Sequence, residues 1–316
     1  MNLSLKANDW RTAVANYGIF IGFFGLIVAL SLITDRFLTV RNLLNIAEQA
    51  SLISIVGIGM TYVILMGEID LSVGSLVAFT GVITAGTLTG GIPLPLAILI
   101  GLGAGFALGL INGLITVYGE IPSFIVTLGM LSVAKGLTLL YTGGKPVWGF
   151  GEAFKFIGGG KLVGIPLPVI ISACLYILAI IVLNTTQLGR YIYAIGGNQR
   201  AVRLAGVKVE RIKTMMFGLS GFFAATSGIV LASRLASAQP TAGGGWELDA
   251  IAAVVLGGTS LYGGEGRLAG TLVGALIFSV INNGMILTGI PTFFQYVVKG
   301  GIIILALLLD KKLRQS

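Results

Sequence analysis

Apolar stretches near the length needed to cross about 30 Å of hydrocarbon recur along the whole of this sequence. They fall at residues 17–34, 43–66, 71–89, 93–118, 121–141, 166–185, 212–233, 248–262, 268–287 and 292–309. A soluble fold of 316 residues needs a charged coat, which 10% charged against 55% hydrophobic residues cannot supply. The pattern predicts an all-α membrane protein, a polytopic bundle of about ten transmembrane helices forming one domain over residues 1–316. The eighth stretch is short for a full crossing and reads as a broken or re-entrant element. Glycine and proline punctuate the loops, as in Gly90-Gly91-Ile92-Pro93, Gly143-Gly144-Lys145-Pro146 and Gly289-Ile290-Pro291.

The residues that are missing exclude most chemistry. Histidine is absent and Cys174 is the one cysteine, so zinc, haem and iron–sulfur centres, internal disulfides and histidine-activated nucleophiles have no ligands or partners. No Gly-x-x-x-x-Gly-Lys-Ser/Thr phosphate loop occurs. The chain is therefore expected not to be an enzyme, to bind no metal or cofactor of its own, and to have no catalytic residues. Lys6 and Arg11 precede the first stretch without a small-residue cleavage site after it, which reads as a retained signal anchor.

Basic residues give the orientation. Lys6, Arg11, Arg190, Arg200, Arg203, Lys208, Arg211, Lys213, Arg267, Lys311, Lys312 and Arg314 fall on one side of a ten-span topology. Arg36, Arg41, Lys145, Lys155, Lys161 and Arg234 fall on the other. The heavier set belongs in the cytoplasm, with both termini, in a bacterial inner membrane. The net charge of +8 is then a topology signal that needs no nucleic-acid partner. Lys135 and Lys299 lie within spans without an evident partner, and the acids lie mostly at span ends.

Glycines at intervals of four (Gly101, Gly105, Gly109 and Gly113; Gly266, Gly270 and Gly274; Gly18 and Gly22) mark helix faces where another backbone can approach closely. A nucleotide-binding reading of Gly101-Leu102-Gly103 fails because no strand precedes it. A faint internal duplication is visible: Gly67 with Val73-Gly74-Ser75-Leu76-Val77-Ala78 echoes Gly263 with Ala269-Gly270-Thr271-Leu272-Val273-Gly274 at the same spacing.

The longest hydrophilic segment on the cytoplasmic side spans residues 187–213. Asn198 can cap a helix that Gly206 ends in the left-handed conformation. Between them Ala201, Leu204 and Ala205 form a small apolar face, with Gln199, Arg200 and Arg203 polar. Such a helix suits a groove on a partner protein; a basic loop that only fixes topology is the plainer alternative.

Leu188-Gly189-Arg190-Tyr191-Ile192-Tyr193-Ala194-Ile195-Gly196-Gly197-Asn198, followed by Ala201, Arg203-Leu204 and Gly206, resembles the coupling loop of the sugar permeases of ATP-binding-cassette importers, in the ribose, xylose and galactoside branch. Ile69-Asp70-Leu71-Ser72-Val73-Gly74-Ser75, Ser237-Ala238-Gln239-Pro240-Thr241-Ala242-Gly243, residues 247–261 and Asn282-Asn283-Gly284 are similar to the ribose-type members. Glu68 and Glu265 depart from the usual pattern, standing where a small residue and a lysine are common. The resemblance implies a homodimeric pore and a cytoplasmic ATPase, hydrolysing ATP with Mg, docked on Gly189, Arg190, Asn198, Arg200, Ala201, Arg203, Leu204 and Gly206. It also implies a periplasmic or lipid-anchored protein that delivers a ribose-like sugar.

Polar residues in or near spans are candidates for the translocation path, namely Asp70, Ser72, Asn112, Asn282, Asn283 and Gln295, with Ser220 and Thr226 of the same kind. Each serves equally well as interhelical glue, and Asp70 as a helix cap. Arg41, Glu48, Arg234, Gln239 and Glu247, with Arg36, Asn45 and Gln49 nearby, are expected on the outer rim, either contacting the binding protein through ion pairs or solvating helix ends. An ion-coupled secondary transporter of a small neutral polar solute is the rival reading, and it needs an ionisable midplane site.

Overall fold

The computed structural model describes residues 22–315. Within them the chain forms α1 (Gly22–Ile33), α2 (Val40–Leu65), α3 (Val73–Thr89), α4 (Leu94–Tyr118), α5 (Ser123–Thr142) and α6 (Glu152–Gly159). A two-stranded antiparallel hairpin follows, β1 (Lys161–Leu162) with β2 (Ile165–Pro166). The rest is α7 (Leu167–Thr185), α8 (Gln187–Leu204), α9 (Val209–Arg234), α10 (Trp246–Leu256), α11 (Leu268–Leu287) and α12 (Thr292–Gln315). Lys6, Arg11 and Gly18 lie outside the described residues, as do the side chains of Lys311, Lys312 and Arg314.

The architecture is an all-α polytopic bundle. Six described helices, α2, α4, α5, α7, α9 and α11, are both long and apolar enough to cross a bilayer, while α1 and α3 are shorter. Helices α2 and α9 are buried around most of their circumference and form the centre. Helices α4, α5 and α7 bury narrow stripes and expose leucine and isoleucine outward. Lipid tails are as apolar as these side chains, so close packing and polar bonds must hold the helices together.

The glycine series supply that packing. A Cβ on Gly105 or Gly109 of α4 would collide with α9 backbone at Gly221 or Phe217, and one on Gly113 would meet Thr214. Gly270 and Gly274 likewise seat α11 on the backbone of α10 at Gly257 and Ala253. Gly22 differs, for among the described residues nothing lies near it. Hydroxyls complete the joints: Ser54 and Ser172 link α2 to α7 at 2.8 Å, and Thr61 and Thr271 link α2 to α11 at 2.8 Å.

The stretch at 248–262 is short and broken, as its length suggested: α10 has 11 residues, ends at Leu256, and is preceded by a non-helical stretch. Its rise of about 16 Å covers about half of the hydrocarbon. The loop before α7 carries α6 and the hairpin, tied to the end of α9 by Gly158 N–H to Ser233 Oγ at 2.6 Å. The hydrophilic segment is helical from Gln187 onward, because Ile192 and Ile195 are buried beneath it.

Candidate coupling and translocation site

Helix α8 is two helices joined at Asn198, whose φ of −157° and ψ of 89° are extended. The Asn198 Oδ1 accepts the N–H of Ala201 at 2.9 Å, restarting the helix as an N-cap does. Gly206, at φ +83°, ends it. The second half exposes Arg200, Ala201, Arg203, Leu204 and Gly206, with Leu204 83% accessible. An exposed leucine among small residues is a ready anchor for a partner groove. Arg190 is exposed on the first half, while Gly189 is buried against the carbonyl of Leu183.

The first half of α8 sits on two turns that the sequence echo links. Gly67 and Gly263, with φ of +76° and +84°, follow α2 and α10 and touch each other. Gly264 N–H donates to the Leu65 carbonyl at 2.8 Å. Gly196 packs so closely on Leu65 and Gly264 that a Cβ would overlap both. The Tyr193 hydroxyl donates to the Gly266 carbonyl at 2.8 Å. Burial pushes that phenol's pKa up, with the Arg267 guanidinium opposing, so it remains a donor.

Glu68, beside the first turn, is bound by Lys213 Nζ at 2.6 Å, and the same ammonium donates to Gln199 Oε1 at 2.6 Å. Lys213 is 6% accessible, so α8, α9 and the α2–α3 turn share one shielded charge. Arg203 pairs with Glu210 at 2.6 Å in a more exposed position. A 420 Å³ cleft opens between these groups and Glu120.

The residues expected on the translocation path divide into four places. Asp70, Ser72 and Asn112 form one fully buried cluster: Asp70 Oδ1 accepts Ser72 N–H at 3.0 Å and Ser72 Oγ at 2.6 Å, and Asp70 Oδ2 accepts Ser220 Oγ at 2.8 Å. Asn112 Nδ2 donates to Ser72 Oγ at 2.9 Å. Asp70 thus fixes the entry to α3 through a local turn and ties it to α9, while Ser72 occupies the cap position. Asn283 exchanges two bonds with Asn42, at 2.8 and 2.9 Å, and locks α11 to α2. Gln295 donates to the Ile290 carbonyl at 3.1 Å, and Asn282 Oδ1 is buried without a partner among the described residues.

The expected rim residues are also placed. Arg234 pairs with Glu48 at 2.9 Å and donates to Asn45 at 2.9 Å, joining α9 to α2. Arg41 is exposed beside a 740 Å³ cleft that also contains Arg36 and Lys161. Gln239 donates to Ser237 at 3.0 Å. The Glu247 carboxylate points inward against Gly74 of α3, away from the rim.

One sequence reading of charge is corrected. Lys299 has a partner, Asp249, at 2.9 Å, and lies 5.5 Å from the Phe278 ring centroid. Asp70, just before α3, and Asp249, in the first turn of α10, are both buried within the protein. No spacing rule pairs residues 249 and 299, and only the packing of α12 on α10 brings them together.

The chain matches the family described as "Branched-chain amino acid transport system / permease component" over residues 42–307. It is 46% identical over 297 residues to the ribose import permease protein of Bacillus subtilis, covering 93% of this chain and 92% of that one. It is 47% identical over 291 residues to the ribose import permease protein of Escherichia coli, covering 91% of each. The L-arabinose ABC transporter permease protein of Azospirillum brasilense is 39% identical over 299 residues, 95% of this chain and 88% of its own length. No solved structure matches.

Proposed function

From the chain's membership of the branched-chain amino acid transport system / permease component family, we propose that it is the membrane subunit of an ATP-driven importer carrying a monosaccharide, ribose in particular. The observation that carries this is identity of 46–47% with ribose permeases across more than nine-tenths of the chain. In this reading the exposed second half of α8, with Arg200, Ala201, Arg203, Leu204 and Gly206, enters a groove on a cytoplasmic ATPase that binds ATP and Mg. Both termini are cytoplasmic, two copies embedded in lipid form the pore, and an external sugar-binding protein docks near Arg41. This chain binds no cofactor.

The test is ribose uptake into vesicles holding the permease. Uptake that requires the ATPase subunit, ATP and the binding protein supports the assignment. Uptake that persists on a proton or sodium gradient alone overturns it and favours the ion-coupled reading, to which the buried Asp70 lends its one specific support.

A further inference from the structure

The backbone between α9 and α10 is non-helical over residues 235–245 and runs inward along α3 and α9. It ends at the first residue of α10, Trp246. That point lies about 16 Å along α10 from the end that leads into the cytoplasmic turn at Gly263. Lys135 is the thirteenth residue of α5, about 18 Å from that helix's cytoplasmic start. Both heights fall near the middle of a hydrocarbon layer about 30 Å thick.

Non-helical backbone at that depth persists only where protein buries it or where it lines a water-filled cavity. Gly243 is buried against Gly74, but Thr241 and Gly244 are exposed. Lys135 is exposed beside them, on a helix face that lipid would penalise heavily for carrying an ammonium. The Glu247 carboxylate completes the wall, admitted by the missing side chain of Gly74, and Lys135 lines the same cavity. Together with Ser75 these residues bound a cavity of 200 Å³. That is smaller than the roughly 300–1,000 Å³ of drug-sized pockets and suits one sugar ring.

We propose that a neutral polyhydroxylated solute, a single monosaccharide, is held during translocation by Lys135, Glu247, Ser75 and Thr241 where the first turns of α3 and α10 meet. This rests on the reading of the chain as a monosaccharide permease. One ammonium and one carboxylate leave the wall without net charge, so it favours a neutral ligand over an ionic one. The ammonium donates, the carboxylate accepts and the two hydroxyls do either, which matches the mixed character of adjacent sugar hydroxyls.

The experiment uses the permease reconstituted with its ATPase and binding protein in proteoliposomes. Lys135→Met and Glu247→Gln are each expected to lower ribose uptake roughly tenfold, because a bond to a charged group is lost, while binding-protein-stimulated ATP hydrolysis persists. Lys135→Arg is expected to recover a measurable part of the uptake. Independently, Thr241→Cys in a Cys174→Ser background should react with a water-soluble thiol reagent, and ribose should slow the reaction during turnover. This arm needs no charged residue removed, so it decides the matter if the charge variants fail to insert. Unchanged uptake in both charge variants, or thiol labelling indifferent to ribose while uptake continues, overturns this site and leaves the permease assignment standing. Absence of ATP-dependent ribose uptake by the unaltered complex overturns both.

Discussion

Lys213 of α9 and Glu68 of the α2–α3 turn form an ion pair at 2.6 Å, and the same ammonium holds Gln199 at the start of the second half of α8. The helix proposed to meet the ATPase is thereby linked to the turn that leads into the buried Asp70 cluster. Replacing Glu68 by alanine leaves a shielded ammonium with one neutral partner, which costs about 3 kcal/mol. The expected outcome is a lower melting temperature of the purified permease and uptake that falls more than ATP hydrolysis. The reciprocal exchange, Glu68→Lys with Lys213→Glu, should recover most of the stability; melting curves of the three proteins check this.

Arg200→Gly with Arg203→Gly tests docking. The Arg203–Glu210 pair is largely exposed, so its loss costs under about 1 kcal/mol and the permease should still insert. Co-purification of the ATPase and ATP-dependent uptake should both fall sharply. Normal uptake in the double variant would remove the proposed role of this helix.

Helix packing predicts a contrast within α4. Gly109→Val places carbon against the Phe217 carbonyl, whereas Gly103 faces open space. Overpacking costs about 1–3 kcal/mol or more where backbone cannot yield. Membrane yield and melting temperature should drop for Gly109→Val and stay close to the unaltered values for Gly103→Val.

The Asp249–Lys299 pair is expected to fasten α12 to α10. Lys299→Met alone strands a carboxylate that is 5% accessible and should destabilise by about 3 kcal/mol. Adding Asp249→Asn removes the stranded charge and should restore much of the loss. Thermal unfolding in detergent distinguishes the single from the double variant.

Arg234 bridges Glu48 and Asn45 within the chain, while Arg41 is exposed. Arg41→Glu should slow association of the binding protein and weaken its salt dependence, leaving stability unchanged. Arg234→Glu should lower the melting temperature and recover when paired with Glu48→Arg. Surface-binding kinetics and melting curves separate the two roles.

Whatever depends on local composition and spacing could be read from the residues alone. Ten apolar stretches, the charge bias, the four-residue glycine rhythm and the Asn198–Gly206 capped helix were all legible, because span length, caps and helix faces follow from residues a few positions apart. Tertiary structure decided which polar side chains meet. Asp70 and Ser220, Lys213 and Glu68, and Lys299 and Asp249 are separated by 50 to 150 residues, and no periodicity couples them. It also decided that residues 235–245 run non-helically against α3 and α9 before α10 begins. That choice is open only because α3 and α9 shield part of the backbone and the glycines at 74 and 243 let the two breaks touch. A sequence records the length of each helix, but burial and exposure of its polar groups are fixed by neighbours that the chain reaches only after folding.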